Sequence, residues 1–345
     1  MQKSKIIFVT PALSSFASND ISILSKKYKV IVNKYAWKRK ILIPFYLLHQ
    51  FFFVLWYMAS VKKIIISFGG YWSLIPSFFG KLAGIPVFII LHGTDCASIP
   101  QINYGSLRKP LVKVACKLSY IFATKLLPVS ISLIEIKNTF YPTDKISEQG
   151  FKFFFPKLKT DYEVVPNGLD ENFWKPISGH EKEQQSFISV FSGEQFFLKG
   201  GDLILDIAKR FPNCKFYLAG LEKPNLNIEI ANNVVFLGKL SKYELRDYYN
   251  KSRFHFQLSI FEGFGISLCE AMLCECIPIG SSVNNISDII GNTGYILEKR
   301  DIDLLEIIVL KALSLKNKSK MGENARNHIA KNYYLDKREK RLLSL

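Results

Sequence analysis

Ten short strand-like runs recur along the chain with helix-length segments between them, and this alternation narrows the possible folds more than any other feature. The first five cover residues 5–10 (KIIFVT), 29–34 (KVIVNK), 63–70 (KIIISFGG), 86–93 (PVFIILHG) and 124–130 (TKLLPVS). A helix over 18–27, capped by Ser18 or Asn19, joins the first two. The second five cover 184–193, 215–220 (KFYLAG), 233–238 (NVVFLG), 253–259 (RFHFQLS) and 276–280 (CIPIG). Strands alternating with helices argue for an α/β chain with two parallel, doubly wound sheets, whose ligands gather outside the carboxyl ends of the strands. Between the two sets, 164–173 (VVPNGLDENF) holds Pro166, Asn167 and Gly168 together, a turn signal that suits a linker.

Composition sets further bounds. At 345 residues the chain is long enough for two domains, and 48% apolar residues exclude a disordered protein. Lys and Arg number 46 against 29 Asp and Glu, a formal charge of +17, yet the basic residues form no nucleic-acid-binding module. The charge is spread, denser at 34–40 and in the C-terminal tail, which suits anionic lipid head groups or a phosphorylated acceptor. The run 41–59 (ILIPFYLLHQFFFVLWYMA) has no formal charge and could pack in the core, lie in a membrane interface or just span a bilayer. A span would separate two strands of one sheet, and Lys38, Arg39, Lys40, Lys62 and Lys63 on its flanks favour the interface over the span. Six cysteines without paired spacing, and no signal peptide at the start, lead to the expectation of a reduced cytoplasmic setting, peripheral to the inner face of a membrane.

Chemistry concentrates in 261–276 (FEGFGISLCEAMLCEC), where Glu262 and Glu270 stand eight positions apart. The preceding run is a strand ending near Ser259, and Ile266, Cys269, Leu273 and Cys276 mark one face of a following helix. Glu262 then lies in a glycine-bracketed turn and Glu270 in the first two turns of the helix, beside backbone N–H groups able to take an anion. Two glutamates alone would more often be a helix cap and a solvated acid. Lys199-Gly200-Gly201 puts an ammonium and permissive backbone where a phosphate could lie. Asp301-x-Asp303 has a metal-like spacing but opens a helix, where acids favour the dipole.

The stretch around Glu262, Gly263, Phe264, Gly265, Glu270, Ala271 and Met272 resembles the Glu-x7-Glu signature of the retaining family-four glycosyltransferases. The resemblance extends over nearly the whole chain, most closely over 164–297 and again over 67–95. It implies a GT-B architecture of two Rossmann-like domains facing a cleft. The domains would be 1–165 on the acceptor side, rejoined by a C-terminal helix over about 328–345, and 166–327 for the nucleotide sugar. It implies that Glu262 lies by the donor sugar, Glu270 holds the ribose, and the amides of Gly265, Ile266 and Ser267 hold the diphosphate. Leu237 and Gly238 would rim the base, Lys199 would face the phosphates, and His92 would reach the transferred sugar once the domains close. One departure concerns Gly193-Glu194, where relatives carry Gly-Arg and the arginine meets the diphosphate. A carboxylate there would repel phosphate, so Glu194 is expected on the sugar or acceptor side. Two asparagines, Asn284 and Asn285, stand where relatives often have Gly-Gly.

The expectation is thus a metal-independent hexosyltransferase. It would use a nucleotide-diphosphate sugar, UDP-linked in preference to GDP-linked, and no cofactor. The acceptor would be a saccharide, lipid-linked rather than free, in polysaccharide, lipopolysaccharide or capsule assembly at an anionic membrane surface; nucleic acid is not expected as a partner. The alternatives are a nucleotide-sugar epimerase or hydrolase, or a non-catalytic glycosyltransferase-like subunit.

Overall fold

The computed structural model describes residues 3–37, 39–141, 148–223 and 230–345, so Lys38 of the basic flank lies outside the described residues. The chain divides into two compact units. The first comprises Met1–Lys137, Glu148–Asn167 and Asp336–Leu345, and the second Asn138–Ser147 and Gly168–Leu335.

In the first unit the strands are β1 (Lys5–Val9), β2 (Lys29–Asn33), β3 (Val61–Ser67), β4 (Val87–Leu91), β5 (Lys125–Pro128), the short pair β6 (Ile136–Lys137) and β7 (Glu148–Gln149), and β8 (Asp161–Tyr162). The helices are α1 (Ser15–Ser25), α2 (Ile43–Met58), α3 (Tyr71–Leu82), α4 (Pro110–Phe122) and the single turn α5 (Phe151–Phe154). The main sheet is parallel throughout, in the order β2-β1-β3-β4-β5-β8. Its central strands are apolar on both faces because helices cover both, and Ile6–Val9, Ile64–Ile66 and Ile89–Leu91 are fully buried. Helix α1 starts earlier than expected. Its cap is Ser14, whose hydroxyl accepts from the Ala17 N–H at 3.3 Å, rather than Ser18 or Asn19. The uncharged run 41–59 forms α2, seated between β2 and β3 of one sheet; only Gln50 and Val54 of it are buried. Among the described residues no helix is long and apolar enough to cross a membrane.

In the second unit the strands are β9 (Glu183–Val190), β10 (Lys215–Ala219), β11 (Val234–Gly238), β12 (Ser252–Gln257), β13 (Ile277–Ser281) and β14 (Tyr295–Leu297), in the parallel order β11-β10-β9-β12-β13-β14. The helices are α6 (Gly201–Arg210), α7 (Lys242–Lys251), α8 (Ile266–Leu273), the short α9 (Ile286–Ile290), α10 (Ile302–Ser314) and α11 (Lys318–Asn332). On one face of the sheet the Phe187 ring stacks on Phe216, Phe254 and Phe256 at 5.0, 4.9 and 4.8 Å. Strand alternation then sends His255 and Gln257 to the other face. At α10, Asp301 caps the helix by accepting from the Asp303 and Leu304 N–H groups at 2.8 and 2.9 Å. Asp303 instead pairs with Arg210 at 2.6 Å.

The last helix, α12 (Leu335–Ser344), belongs to the first unit from Asp336 onward. Arg338 fixes it there. Its guanidinium donates to both oxygens of Asp20 at 2.6 and 2.7 Å, both residues being buried, and to the carbonyls of Val165 and Pro166. The return to the first unit therefore comes at 336 rather than about 328. Helix α11 stays with the second unit, where the Arg326 guanidinium donates to the carbonyls of Trp174 and Glu171. Residues 138–147 also go with the second unit rather than the first. Asn138 donates to the Ile260 carbonyl at 2.6 Å, and the Arg300 N–H to the Phe140 carbonyl at 3.1 Å.

Candidate active site

The chemistry of the second unit gathers where β12 ends and α8 begins. Gly265 caps α8 at φ 99°, a left-handed conformation that glycine adopts without the steric cost a side chain would bring. The first helical bond runs from the Cys269 N–H to the Gly265 carbonyl at 3.1 Å, so helix geometry leaves the N–H groups of Ile266, Ser267 and Leu268 without an intrahelical acceptor. Alongside runs the loop between β9 and α6. It is stapled to the first by the Ile260 N–H donating to the Leu198 carbonyl at 2.8 Å. Gly200, at φ 73°, lets this backbone pass close, since a Cβ there would lie 2.6 Å from the Leu258 carbonyl oxygen.

Glu262 is the hub. Its Oε2 takes the Lys199 ammonium, the Gln257 amide at 2.7 Å and the Ser259 hydroxyl at 3.4 Å, and its own N–H donates to Asn284 Oδ1 at 3.1 Å. Gln257 is almost fully buried and makes contacts through both ends of its amide. Its Nε2 reaches Glu262 and Ser259, while its Oε1 accepts from the Ser267 hydroxyl at 3.1 Å and lies 3.3 Å from His255 Nε2. Burial holds His255 down to about 4, so the ring is neutral at physiological pH. Its Nδ1 has no partner among the described residues, which fits a proton on Nε2 donated to the amide. The sequence reading puts Lys199 against phosphates. The structure pairs it with Glu262 instead, so one carboxylate and one ammonium neutralise each other in the same corner.

Glu270 behaves differently. It is half-buried on α8, and no hydrogen bond or ion pair reaches its carboxylate among the described residues. Burial alone pushes it up to about 8. Of the remaining expected residues, Gly193 and Glu194 occupy a helical turn over 193–195 at the end of β9, and Glu194 is exposed. Leu237 and Gly238 end β11, where Gly238 at φ 61° accepts from the Gly220 N–H at 2.7 Å. Sequence alone does not single out Gln257 or Ser259. The available signal is a polar residue on the alternation of an otherwise aromatic strand. Asn284 stands out in the sequence only as a departure from Gly-Gly, and its φ of 50° shows why a residue tolerant of the left-handed region stands there.

In the first unit, His92 follows β4. Its ring packs against Phe16 and Phe68, each with centroid 4.4 Å away and the two in contact with each other at 5.7 Å, and its Nε2 is 3.1 Å from Ser67 Oγ. Burial keeps it well below the usual histidine range, hence neutral. Phe68 holds φ 64°, a strained choice for an aromatic residue that brings its ring against His92. Asp95 orders both strand-end loops by accepting from the N–H groups of Gly69, His92 and Gly93 at 3.0, 3.1 and 2.9 Å. Burial raises its carboxyl to about 6 against these bonds.

Residues 172–328 match the family model described as Glycosyl transferases group 1. Over 163 residues the chain is 23% identical to a phosphatidylinositol N-acetylglucosaminyltransferase component of Arabidopsis thaliana, covering 44% of this chain and 36% of that protein. It thus spans about a third of that curated relative's length. Among solved structures it is similar to sucrose-phosphate synthase from Thermosynechococcus elongatus, with TM-score 0.75 and 12% identity over 99% of this chain and 98% of that one. It is also similar to HepE of Anabaena in complex with UDP-glucose, with TM-score 0.74 and 15% identity over 99% of this chain and 98% of that one. The chain therefore has the GT-B fold of two Rossmann-like units, and residues 172–328 of its second unit match the group 1 glycosyltransferase model.

Proposed function

We propose that this chain is a retaining, metal-independent glycosyltransferase that moves a sugar from a nucleotide-diphosphate donor to a lipid-linked saccharide at the inner face of a membrane. One arrangement carries the reading: a Lys199–Glu262–Gln257 cluster at the start of α8, followed on that helix by the unpartnered carboxylate of Glu270. The donor diphosphate lies against the N–H groups of Ile266 and Ser267, and Lys199 turns part of its charge from Glu262 to the phosphate as negative charge develops there. Ammonium and helix dipole together supply the positive charge that this leaving group needs, so no metal is invoked. Glu270 accepts from the ribose hydroxyls, and Glu262, held by Gln257 and Ser259, accepts from the sugar hydroxyls. No carboxylate is assigned as a covalent nucleophile; transfer is front-face, with the donor phosphate taking the acceptor proton. Leu237 and Gly238 rim the base, Gly193 and Glu194 serve the sugar side, and neutral His92 belongs to the acceptor-side unit. A UDP-sugar is favoured over a GDP-sugar, in keeping with HepE solved with UDP-glucose. The lipid-linked acceptor draws on the charge of +17 and on the phosphatidylinositol named for the Arabidopsis relative.

Glu194 in place of an arginine, with Lys199 already engaged, also favours the reading of a non-catalytic partner to an active enzyme. Calorimetric titration with UDP-, GDP- and ADP-sugars, followed by transfer assays with the anomeric configuration read by NMR, separates the two. Lys199→Ala is expected to lower both donor affinity and turnover, and Glu194→Ala to spare the affinity for bare nucleotide while impairing transfer. Failure of every nucleotide sugar to bind, or tighter nucleotide binding by Glu194→Ala, would count for the non-catalytic reading.

A further inference from the structure

We infer that the outer face of α2, α3 and α4 is a docking surface for an anionic lipid bilayer. The inference deepens the lipid-linked-acceptor reading above, but its evidence lies wholly in the first unit, whereas the Lys199–Glu262 cluster belongs to the second. Along α2 the residues at 45, 48, 52 and 56 follow helical spacing and form one stripe turned away from the sheet, with Phe45 67%, Leu48 57%, Phe52 61% and Trp56 81% exposed. The stripe is not isolated. Helix α3 packs beside α2, and α4 beside α3. Leu82 on α3 and Leu111 on α4 are 70% and 73% exposed. Ring contacts of Phe51 with Phe79 at 5.3 Å and Phe78 with Phe122 at 5.5 Å join the three helices. An apolar surface spread over three neighbouring helices exceeds what isolated exposed side chains explain and marks an interaction site.

Charge selects the occupant. Between residues 21 and 134 the chain carries fifteen lysines and arginines and one acid, Asp95, which is fully buried. Of these, Lys81 on α3, Lys109 just before α4 and Lys117 on α4 are exposed. Lys26 and Lys125 pair with Glu339 and Glu163, and Lys63 is buried, but the lysines of α3 and α4 remain in excess, so a second copy of the chain docking face to face would set like charge against like. A bilayer with anionic head groups meets both demands, taking the aromatic stripe into the head-group and acyl boundary while lysines reach the lipid phosphates. Helix α2 is 16 residues long and lies between two strands of one sheet, so it docks along the surface and does not span it.

The test uses the full chain with vesicles of phosphatidylcholine alone and of phosphatidylcholine and phosphatidylglycerol in equal parts. Flotation with the mixed vesicles only is expected, weakened by salt. Trp56 fluorescence should shift to the blue and be quenched by brominated acyl chains, a change absent from Trp56→Phe. Phe52→Ser with Trp56→Ser should lower partitioning by about tenfold or more. Absence of flotation with the mixed vesicles, equal flotation with both vesicles at low salt, or an unshifted Trp56 in the unaltered chain would overturn the inference, as would undiminished flotation of the double variant. A dimer by ultracentrifugation that the double variant converts to monomer would assign the face to a second copy instead. UDP-glucose titration of the same samples separates the readings. Nucleotide binding without flotation removes the docking surface alone, and flotation without nucleotide binding removes the donor assignment alone.

Discussion

Glu270 provides a test in which pH itself is the perturbation. Its carboxyl is pushed up to about 8 by burial, with no donor among the described residues to stabilise the charge. At pH 7 such a group is ionised in about one molecule in ten. Ribose hydroxyls donate to a carboxylate, so on the proposed reading the proton must leave before the donor is held, and binding releases it. The sign follows: the bound state carries fewer protons than the free state, and affinity rises with pH. The apparent constant is divided by the competent fraction, giving a gain of about tenfold from pH 7 to a plateau above 8, or about 1.4 kcal/mol. Glu270→Gln should flatten the profile. On the plateau it should bind about 1.5–3 kcal/mol more weakly, the scale of charge-assisted bonds, with roughly half of that deficit or more vanishing at pH 7. Isothermal titration with UDP-glucose from about pH 6.5 to 8.5, in two buffers of different ionisation heat, measures both the affinity and the protons released. The sugar-linked diphosphate does not titrate in this window, and His255, held to about 4, stays neutral throughout it. A flat profile in the unaltered chain, or the same slope in Glu270→Gln, would refute the reasoning.

Two further expectations concern groups the hydrogen-bond geometry singles out. Gln257→Leu keeps the bulk but removes the 2.7 Å donor to Glu262, and should lower kcat by about tenfold while leaving KM for the donor nearly unchanged; an unchanged kcat would show that Gln257 does not position Glu262. Asp20→Ala leaves the Arg338 guanidinium buried without its counter-charge and should cost about 3–5 kcal/mol in urea unfolding. Arg338→Leu added to it should recover part of that loss, and a double variant no better than the single would mean that α12 is held by packing.

Much of the fold follows from local pattern. Runs such as 63–70 and 86–93 are apolar at almost every position, and only a strand covered on both faces accommodates that, so two parallel sheets are readable from the sequence. The turn carrying Glu262, the helix carrying Glu270 and the cap at Asp301 are likewise set by glycine placement, helical spacing and side-chain chemistry within a few residues of one another. Partnership across long separations is not readable. Lys199 lies 63 positions from Glu262, Asn284 lies 22 positions from the N–H it accepts, and Arg338 lies 318 positions from Asp20. The position of α2 is a matter of the same kind. Nineteen uncharged residues leave a core, an interface and a span all open, and only packing against α3, with Gln50 bonded to Asn33 of β2, shows which side chains remain outside. Periodicity records which residues need burial, and this the sequence alone determined. Which charge meets which depends on how separate strand ends converge, and only the tertiary structure decided that.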